Sequence, residues 1–321
     1  MKDVLVWTGH DDAALCEALA PIPGLRLHAA RNASEAQALM ARVDGMIMSV
    51  VPWNADFARA LAGSSRLVWI QLLNAGFDNM EKLGVPQRVV VSTIGEFGST
   101  VVAEHALALL LALVRRLPES LSAQHRVAWT RASAPTMTLR DMNVAVLGFG
   151  HIGRCVASLL TTFGARPLVV ASTERHTSSG LHVHSLNALS AVLNGAQALV
   201  ICAPLNDATR QVVNQAAFAS MRAGSYLVNI SRGGIVDTDA MVAALESGVL
   251  AGAAMDVTDP EPLPPSHPLW RHPKVLMTPH VASSGATEGE RTRLNEFLVD
   301  QVRRFVSGDE VRYRARIKRS S

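Results

Sequence analysis

Asn143-Val144-Ala145-Val146-Leu147-Gly148-Phe149-Gly150-His151-Ile152-Gly153 is the stretch whose reading decides the fold. An apolar strand runs into a Gly-x-Gly-x-x-Gly turn. Apolar residues then recur at Ile152, Val156, Leu159, Leu160 and Phe163, the spacing of an amphipathic helix. Strand before and helix after supply the context in which these glycines have a physical role. The first permits a tight turn, the second lets a pyrophosphate approach the backbone, and the third lets helix pack closely on strand. The helix start offers unpaired N–H groups and the positive end of its dipole to phosphate oxygens. A dinucleotide site is expected, lined by Gly148, Gly150, His151, Ile152 and Gly153, with the His151 side chain turned to solvent.

The next strand, Pro167 to Ala171, ends where an acidic residue ordinarily grips the ribose diol, ~20 residues beyond the glycines. Ala171 stands there instead, followed by Ser172, Thr173, Glu174 and Arg175. Absence of the acid removes repulsion against a 2′-phosphate, which Ser172, Thr173 and Arg175 are suited to hold. NADP(H) is therefore favoured. Should the loop bulge, Glu174 would reach the ribose and restore NAD(H).

Around this turn lie two series of alternating strands and helices, which implies parallel pairing in open α/β sheets. In the first, strands are expected at Val4–Trp7, Gly45–Met48, Leu67–Ile70 and Val89–Val91, with helices at Ser34–Ala41 and Ala55–Ala62. A long helix, apolar nearly all round and therefore buried, begins near Ser99 or Thr100, either of which would cap it. Gln124 to Arg140 reads as a loop. The second series has strands at Val144–Leu147, Leu168–Ala171, Ala198–Cys202, Ser225–Ile230, Ala253–Val257 and Val275–Met277. A final helix, roughly Glu288 to Val306, is stopped by Gly308 and would return to the first unit.

The chain has 321 residues, too many for one simple core, so two domains are expected. With 49% hydrophobic and 18% charged residues it has ample apolar material to bury. The formal net charge of +3 is small, and the basic tail from Arg312 to Arg319 reads as a solvated end; no nucleic-acid partner is expected. The longest apolar stretch, Ala106 to Val114, is about half of what spans a bilayer, so no membrane role is expected. Met1-Lys2-Asp3-Val4 shows no leader pattern, and cytoplasmic residence is expected. Cys16, Cys155 and Cys202 lie in apolar surroundings without metal-type spacing, so neither a disulfide nor a metal site is expected.

Four further segments extend the pattern: Ala103-Glu104-His105-Ala106-Leu107, Val228 to Asp237, Met255 to Leu263, and Met277-Thr278-Pro279-His280. In this order and spacing they resemble the D-isomer-specific 2-hydroxyacid dehydrogenase family, in particular its glyoxylate and hydroxypyruvate reductases. The resemblance runs from about Leu67 to Val306. It implies two Rossmann-like or flavodoxin-like domains with parallel sheets and an active site in the inter-domain cleft. Residues 1–98 and 283–321 would form the substrate domain, and residues 99–282 an NAD(P)-binding domain inserted into it. Family members are commonly dimers, so a homodimer is expected.

The chemistry can also be argued from the residues. Reducing a small 2-oxo acid requires a carboxylate anchor, a proton donor to the carbonyl oxygen, and hydride from the opposite face. Arg232 lies just beyond an apolar strand, and its guanidinium can bridge a carboxylate and polarise a carbonyl. His280 follows another strand end, and an imidazole can give and take a proton near neutrality. Glu261, in a Pro-braced loop, is placed to hydrogen-bond that imidazole and fix its tautomer. The family's catalytic Arg, Glu and His map by motif onto these three positions.

The resemblance implies that Asp256 accepts from the nicotinamide carboxamide, the alternative being a loop cap. Ala203, Pro204, Ile230 and Ser231 would line the cofactor groove. Leu73-Asn74-Ala75-Gly76-Phe77-Asp78 resembles the family's substrate loop, in which backbone N–H groups near Asn74, Ala75 and Gly76 would form a carboxylate nest. Two other readings stay open: a dehydrogenase of another small anion on this scaffold, and a nicotinamide-binding redox sensor without turnover.

Overall fold

Val4, Leu5, Val6 and Trp7 all turn inward, but onto two different cores. Val4 and Val6 pack with Ile47, Trp69, Phe297, Leu298 and Val302, whereas Leu5 and Trp7 pack with Met46, Met48, Phe57, Leu61 and Ile70. A strand with both faces covered reads as an unbroken apolar run, which is why it stands out in the sequence. The computed structural model describes residues 1–8, 12–49, 53–74, 76–129, 135–283, 287–315 and 317. The chain divides into two units, Met1–Phe97 with Ala286–Ser321, and Gly98–Gly285.

The first unit contains β1 (Lys2–Trp7), α1 (Ala13–Leu19), β2 (Leu25–Ala29), α2 (Ala33–Leu39), β3 (Gly45–Met48), α3 (Ala55–Gly63), β4 (Trp69–Leu72), α4 (Asp78–Leu83) and β5 (Val90–Ser92). Its sheet has the order β2-β1-β3-β4-β5, every pair parallel. Asn side chains start two of its helices: Asn32 accepts from Glu35 N, and Asn54 from Asp56 N and Phe57 N. Strand β2 was not expected, because its sequence LRLHA is polar at alternate positions and only half-buried at a sheet edge. The expected strand Leu67–Ile70 is displaced to Trp69–Leu72. Gln71, one residue past the expected strand, is fully buried within β4.

The second unit runs through α5 (Ser99–Val114), α6 (Leu117–His125), β6 (Asn143–Leu147), α7 (His151–Thr162), β7 (Arg166–Ala171), β8 (Arg175–His176), β9 (His182–Ser185), α8 (Leu189–Gly195) and β10 (Ala198–Ile201). It continues through α9 (Gln215–Ser220), β11 (Ser225–Asn229), α10 (Thr238–Glu246), β12 (Leu250–Met255) and β13 (Val275–Met277). The sheet order is β13-β12-β11-β10-β6-β7-β9-β8, with the β8–β9 pair alone antiparallel among the described strands. Neither Ser99 nor Thr100 caps α5. Gly98 does so in a left-handed conformation at φ 76°, with no side-chain cap. The loop expected from Gln124 is entered two residues later, at Arg126, after α6 ends at His125. All three cysteines are free, and burial pushes the Cys202 thiol up to about 12, which keeps it unreactive.

The last helix, α11 (Glu288–Ser307), belongs to the first unit. A reciprocal Thr287–Glu290 capping box starts it, and Gly308 ends it at φ 83°. Its Gln301 is fully buried and donates to Gln71 Oε1 at 2.9 Å, while accepting from Arg312 N at 2.8 Å. Gln71 Oε1 also accepts from Ser92 Oγ at 2.8 Å, and Ser92 Oγ in turn accepts from Trp69 Nε1 at 2.9 Å. Each buried polar group named here thus finds a partner.

At the other end of that sheet, charged groups replace the amide network. Asp3 meets His28 Nε2 at 2.8 Å and the Arg66 guanidinium, which also reaches Asp44 at 3.0 Å. The hydrogen bond from His28, followed by that from Arg66, holds the Asp3 carboxyl below its usual range against the opposing effect of burial. At Asp44 burial pushes upward, but Arg66 and the Asp3 N–H outweigh it. Carboxyls depressed in the folded state contribute stability above their unfolded pKa, about 4, and lose it as pH falls through the folded value. Thermal unfolding of wild type and Arg66→Met should therefore differ most near pH 6 and converge towards pH 3. Parallel midpoint curves across that range would show that the cluster does not set acid stability.

Candidate active site

Strand order reverses between β6 and β10, the place where open α/β sheets bind ligands beyond their strand ends. Gly148 follows β6 there at φ 101°, and a Cβ on it would lie 2.5 Å from Ala203 N, just after β10. A Cβ on Gly153 would lie 2.0 Å from Gly148 O. Both glycines are thus required by close backbone approach. Gly150 differs: a Cβ there would meet nothing within 4 Å, so the space beside it is left for something other than protein. His151 and Ile152 open α7 directly behind it. A glycine cradle with one open position, facing a helix start, fits the pyrophosphate of a dinucleotide.

The rest of the groove is tied together by short polar contacts. Ser231 Oγ donates to Ala203 O, joining the ends of β11 and β10. Pro204 O accepts from Thr209 Oγ1 at 2.6 Å, and Asn206 Oδ1 accepts from Ala208 N and Thr209 N. Asn206 therefore stabilises its own turn. Ile230 is buried beside Ser231. Beyond β7, Ser172 and Thr173 are exposed, and Arg175 donates to Thr173 O at 3.0 Å.

Arg232 follows β11 by way of Ile230 and Ser231. Asn229, fully buried, donates to Arg232 O at 2.9 Å and accepts from Ser231 N at 3.1 Å. The guanidinium donates to Ser231 O at 2.7 Å. After it, Gly233 approaches Thr258 so closely that a Cβ would fall 2.0 Å from the Thr258 carbonyl carbon. The Arg232 turn is thereby pressed against the segment that leads to Glu261.

Glu261 Oε1 lies 2.6 Å from Nδ1 of His280. That contact leaves Nε2 as the ring atom for exchange with a ligand. His280 has φ 53°, rare for a residue with a Cβ, and the conformation is fixed by its surroundings. Its N–H donates to Asp256 O at 2.8 Å. The Asp256 carboxylate is fully buried and accepts from Thr278 Oγ1 at 2.6 Å, Val281 N at 2.9 Å and Ala282 N at 3.0 Å. His105, on α5, stands behind it with Nε2 3.1 Å from Thr278 Oγ1. The Asp256 carboxylate thus clamps the turn that carries His280.

Asn229 and His105 were not singled out as positioning groups. A polar residue closing an apolar strand, as in Val228-Asn229-Ile230, was the available signal for the first. Among the expected substrate residues, Asn74 and Gly76 follow β4 in the first unit, and Asn74 Oδ1 accepts from Ser49 Oγ at 3.1 Å. Ala75 lies outside the described residues. Arg232, Glu261 and His280 all belong to the second unit. Among the described residues there is no group of three or more His, Cys, Asp or Glu that could hold a metal ion. No helix among them is long and apolar enough to cross a membrane.

Residues 107–282 match the family model described as "D-isomer specific 2-hydroxyacid dehydrogenase, NAD binding domain". The chain belongs to the D-isomer specific 2-hydroxyacid dehydrogenase family and is an NAD(P)-dependent oxidoreductase. It is 31% identical over 230 residues to glyoxylate/hydroxypyruvate reductase A of Serratia proteamaculans (strain 568), covering 70% of this chain and 73% of that protein. A D-isomer specific 2-hydroxyacid dehydrogenase family protein from Aeromonas salmonicida subsp. salmonicida A449 superimposes with a TM-score of 0.84 at 27% identity, covering 98% of each chain. The D-isomer specific 2-hydroxyacid dehydrogenase from Xanthobacter autotrophicus Py2, solved with NADPH and MES, gives 0.80 at 28% identity, again over 98% of each chain.

Proposed function

We propose that this protein reduces a small 2-oxo acid to the 2-hydroxy acid, and catalyses the reverse, with His280 as acid/base, Arg232 as carboxylate anchor and Glu261 as support for His280. The observation that carries this reading is the 2.6 Å contact between Glu261 and Nδ1 of His280, beside a turn that presents a guanidinium. A nicotinamide held in the groove behind Gly150 would supply or accept the hydride at the substrate's C2. His280, with Nδ1 engaged by Glu261, gives a proton from Nε2 to the carbonyl oxygen and takes it back in oxidation. Arg232 binds the carboxylate through paired N–H donors and draws charge toward the carbonyl oxygen. Asp256 and Thr278 hold the His280 turn, and Asn229 holds the Arg232 turn. Besides clamping that turn, the carboxylate of Asp256 would accept from the nicotinamide carboxamide through Oδ2, which among the described residues receives only the Ala282 N–H. The segment Asn74-Ala75-Gly76 is retained as a nest of backbone N–H groups for the substrate carboxylate.

The groove residues Gly148, Gly150, His151, Ile152, Gly153, Ala203, Pro204, Ile230 and Ser231 would hold the dinucleotide. Ser172, Thr173 and Arg175 would hold a 2′-phosphate, which makes NADP(H) the favoured cofactor. A cytoplasmic homodimer goes with this reading on the strength of the family. The decisive experiment is steady-state kinetics of the purified protein with NADPH and NADH against glyoxylate, hydroxypyruvate and phenylpyruvate. Turnover of at least one acid is expected, with higher kcat/KM for NADPH. No oxidation of either cofactor by any of the three would overturn the assignment.

A further inference from the structure

The strand after the ribose-binding turn separates two kinds of side chain. Successive residues of an extended segment point to opposite faces. Arg175 pairs in register with Val183, and His176 with His182, across the antiparallel β8–β9 ribbon. Glu174 and His176 therefore share one face with His182 and His184, while Arg175 takes the other. On the histidine face the His176 and His182 rings stack with centroids 4.6 Å apart, and the His182 and His184 rings lie 4.1 Å apart. Glu174 Oε1 meets His182 Nε2 at 3.0 Å. On the opposite face the Arg175 guanidinium lies 5.7 Å from the ring centre of Phe149, inside the glycine turn. Arg154, from α7, places its own guanidinium at the same 5.7 Å from that ring.

Resting on the cofactor reading above, we propose that His182 is the positioning residue for coenzyme choice. It holds Glu174, the one carboxylate in the sequence 171–176, on the histidine face and away from the ribose. Released, Glu174 stands next to Arg175 in the chain and has the length to swing towards the ribose. There it would accept from the 2′-hydroxyl of NAD(H) and repel the 2′-phosphate of NADP(H). Held, it leaves Arg175 and Arg154, each with its guanidinium 5.7 Å from the Phe149 ring centre, as the cations beside the glycine turn for a phosphate dianion. An imidazole donates this hydrogen bond whether neutral or charged, so the device does not depend on protonation of His182. Coenzyme preference thus follows from where the acid is tied, although an acid is present in the loop.

Calorimetric titration with 2′,5′-ADP and with 5′-AMP reads this selection without turnover. Wild type should bind 2′,5′-ADP more tightly than 5′-AMP. In His182→Ala the ratio of the two affinities should fall about tenfold, the value of one charge-assisted contact. Adding Glu174→Gln to His182→Ala should restore it, and His182→Gln, whose amide can still donate to Glu174, should keep it. A structural effect of losing the ring would not be reversed by neutralising Glu174. An unchanged ratio in His182→Ala, in a wild type that favours 2′,5′-ADP, overturns the role of His182 and leaves the NADP(H) reading intact. Equal affinity for the two probes in wild type overturns both. Should His182→Ala fail to fold, Glu174→Gln alone decides: a ratio that stays within twofold supports the proposal, and a marked rise shows that Glu174 already opposes the phosphate.

Discussion

His280→Ala is expected to lower kcat by about 10²–10⁴-fold, the usual contribution of a positioned general acid. The structure makes a compensating group hard to find. The backbone at His280 is held in an uncommon conformation by its bond to Asp256 O, and the Asp256 carboxylate fastens the residues on either side of it. Alanine keeps that backbone and the clamp while removing only the ring that Glu261 orients. Cofactor affinity should therefore change little, because the glycine turn, the β10 end and the loop after β7 are untouched. Stopped-flow measurement of NADPH oxidation, beside equilibrium titration of NADPH, separates the two effects. A variant that turns over at the wild-type rate would remove His280 from the reaction; one that loses cofactor binding instead would make it a structural residue.

Arg232→Lys should lower kcat/KM for 2-oxo acids by about 10²-fold or more, although the charge is kept. Guanidinium offers two parallel donors to one carboxylate and a further edge to the carbonyl oxygen; an ammonium offers a point charge. In this fold the difference is enlarged by the backbone. Asn229 clamps the Arg232 carbonyl, and Gly233 is wedged against Thr258, so the turn cannot shift to bring a shorter donor forward. The loss should appear in both kcat and KM, since anchoring and polarisation of the carbonyl use the same group. An unchanged kcat/KM would refute the anchor, and restoration of activity by added guanidinium would support it.

The parts of this molecule that were legible in its sequence are those where local chemistry and tertiary environment agree. Val144–Leu147 and Ala198–Ile201 are buried on both faces, so they read as apolar runs whatever surrounds them. The glycine turn was legible because its spacing answers to backbone contacts of its own, such as Gly153 against Gly148 O. Strand β2 and the β8–β9 ribbon were not, since short edge strands with few apolar side chains do not stand out from a polar loop. Gly98 starts α5 where two hydroxyl residues stood next to it, because the entry of the chain fixes the conformation there, whatever the cap propensities. The work of Asp256 and Asn229 was hidden for a different reason. Asp256 bonds to groups that only the fold brings near, and Asn229 to a turn whose shape only the fold fixes, so neither side chain's partners could be counted beforehand.

The amide network around Gln301 bears on how the chain is made. Gln71 and Ser92 are synthesised early, yet the partner that closes their network arrives with α11, and Thr93 N waits for the carbonyl of Tyr313. Between them the ribosome must deliver the whole of Gly98–Gly285, a contiguous segment that carries all the strands of its own sheet. Contacts of such long sequence separation form late, after the entropy of the intervening loop has been overcome. The segment that emerges first is therefore the one completed last, and until then the face of its sheet that α11 will cover shows apolar surface to whatever the nascent chain meets.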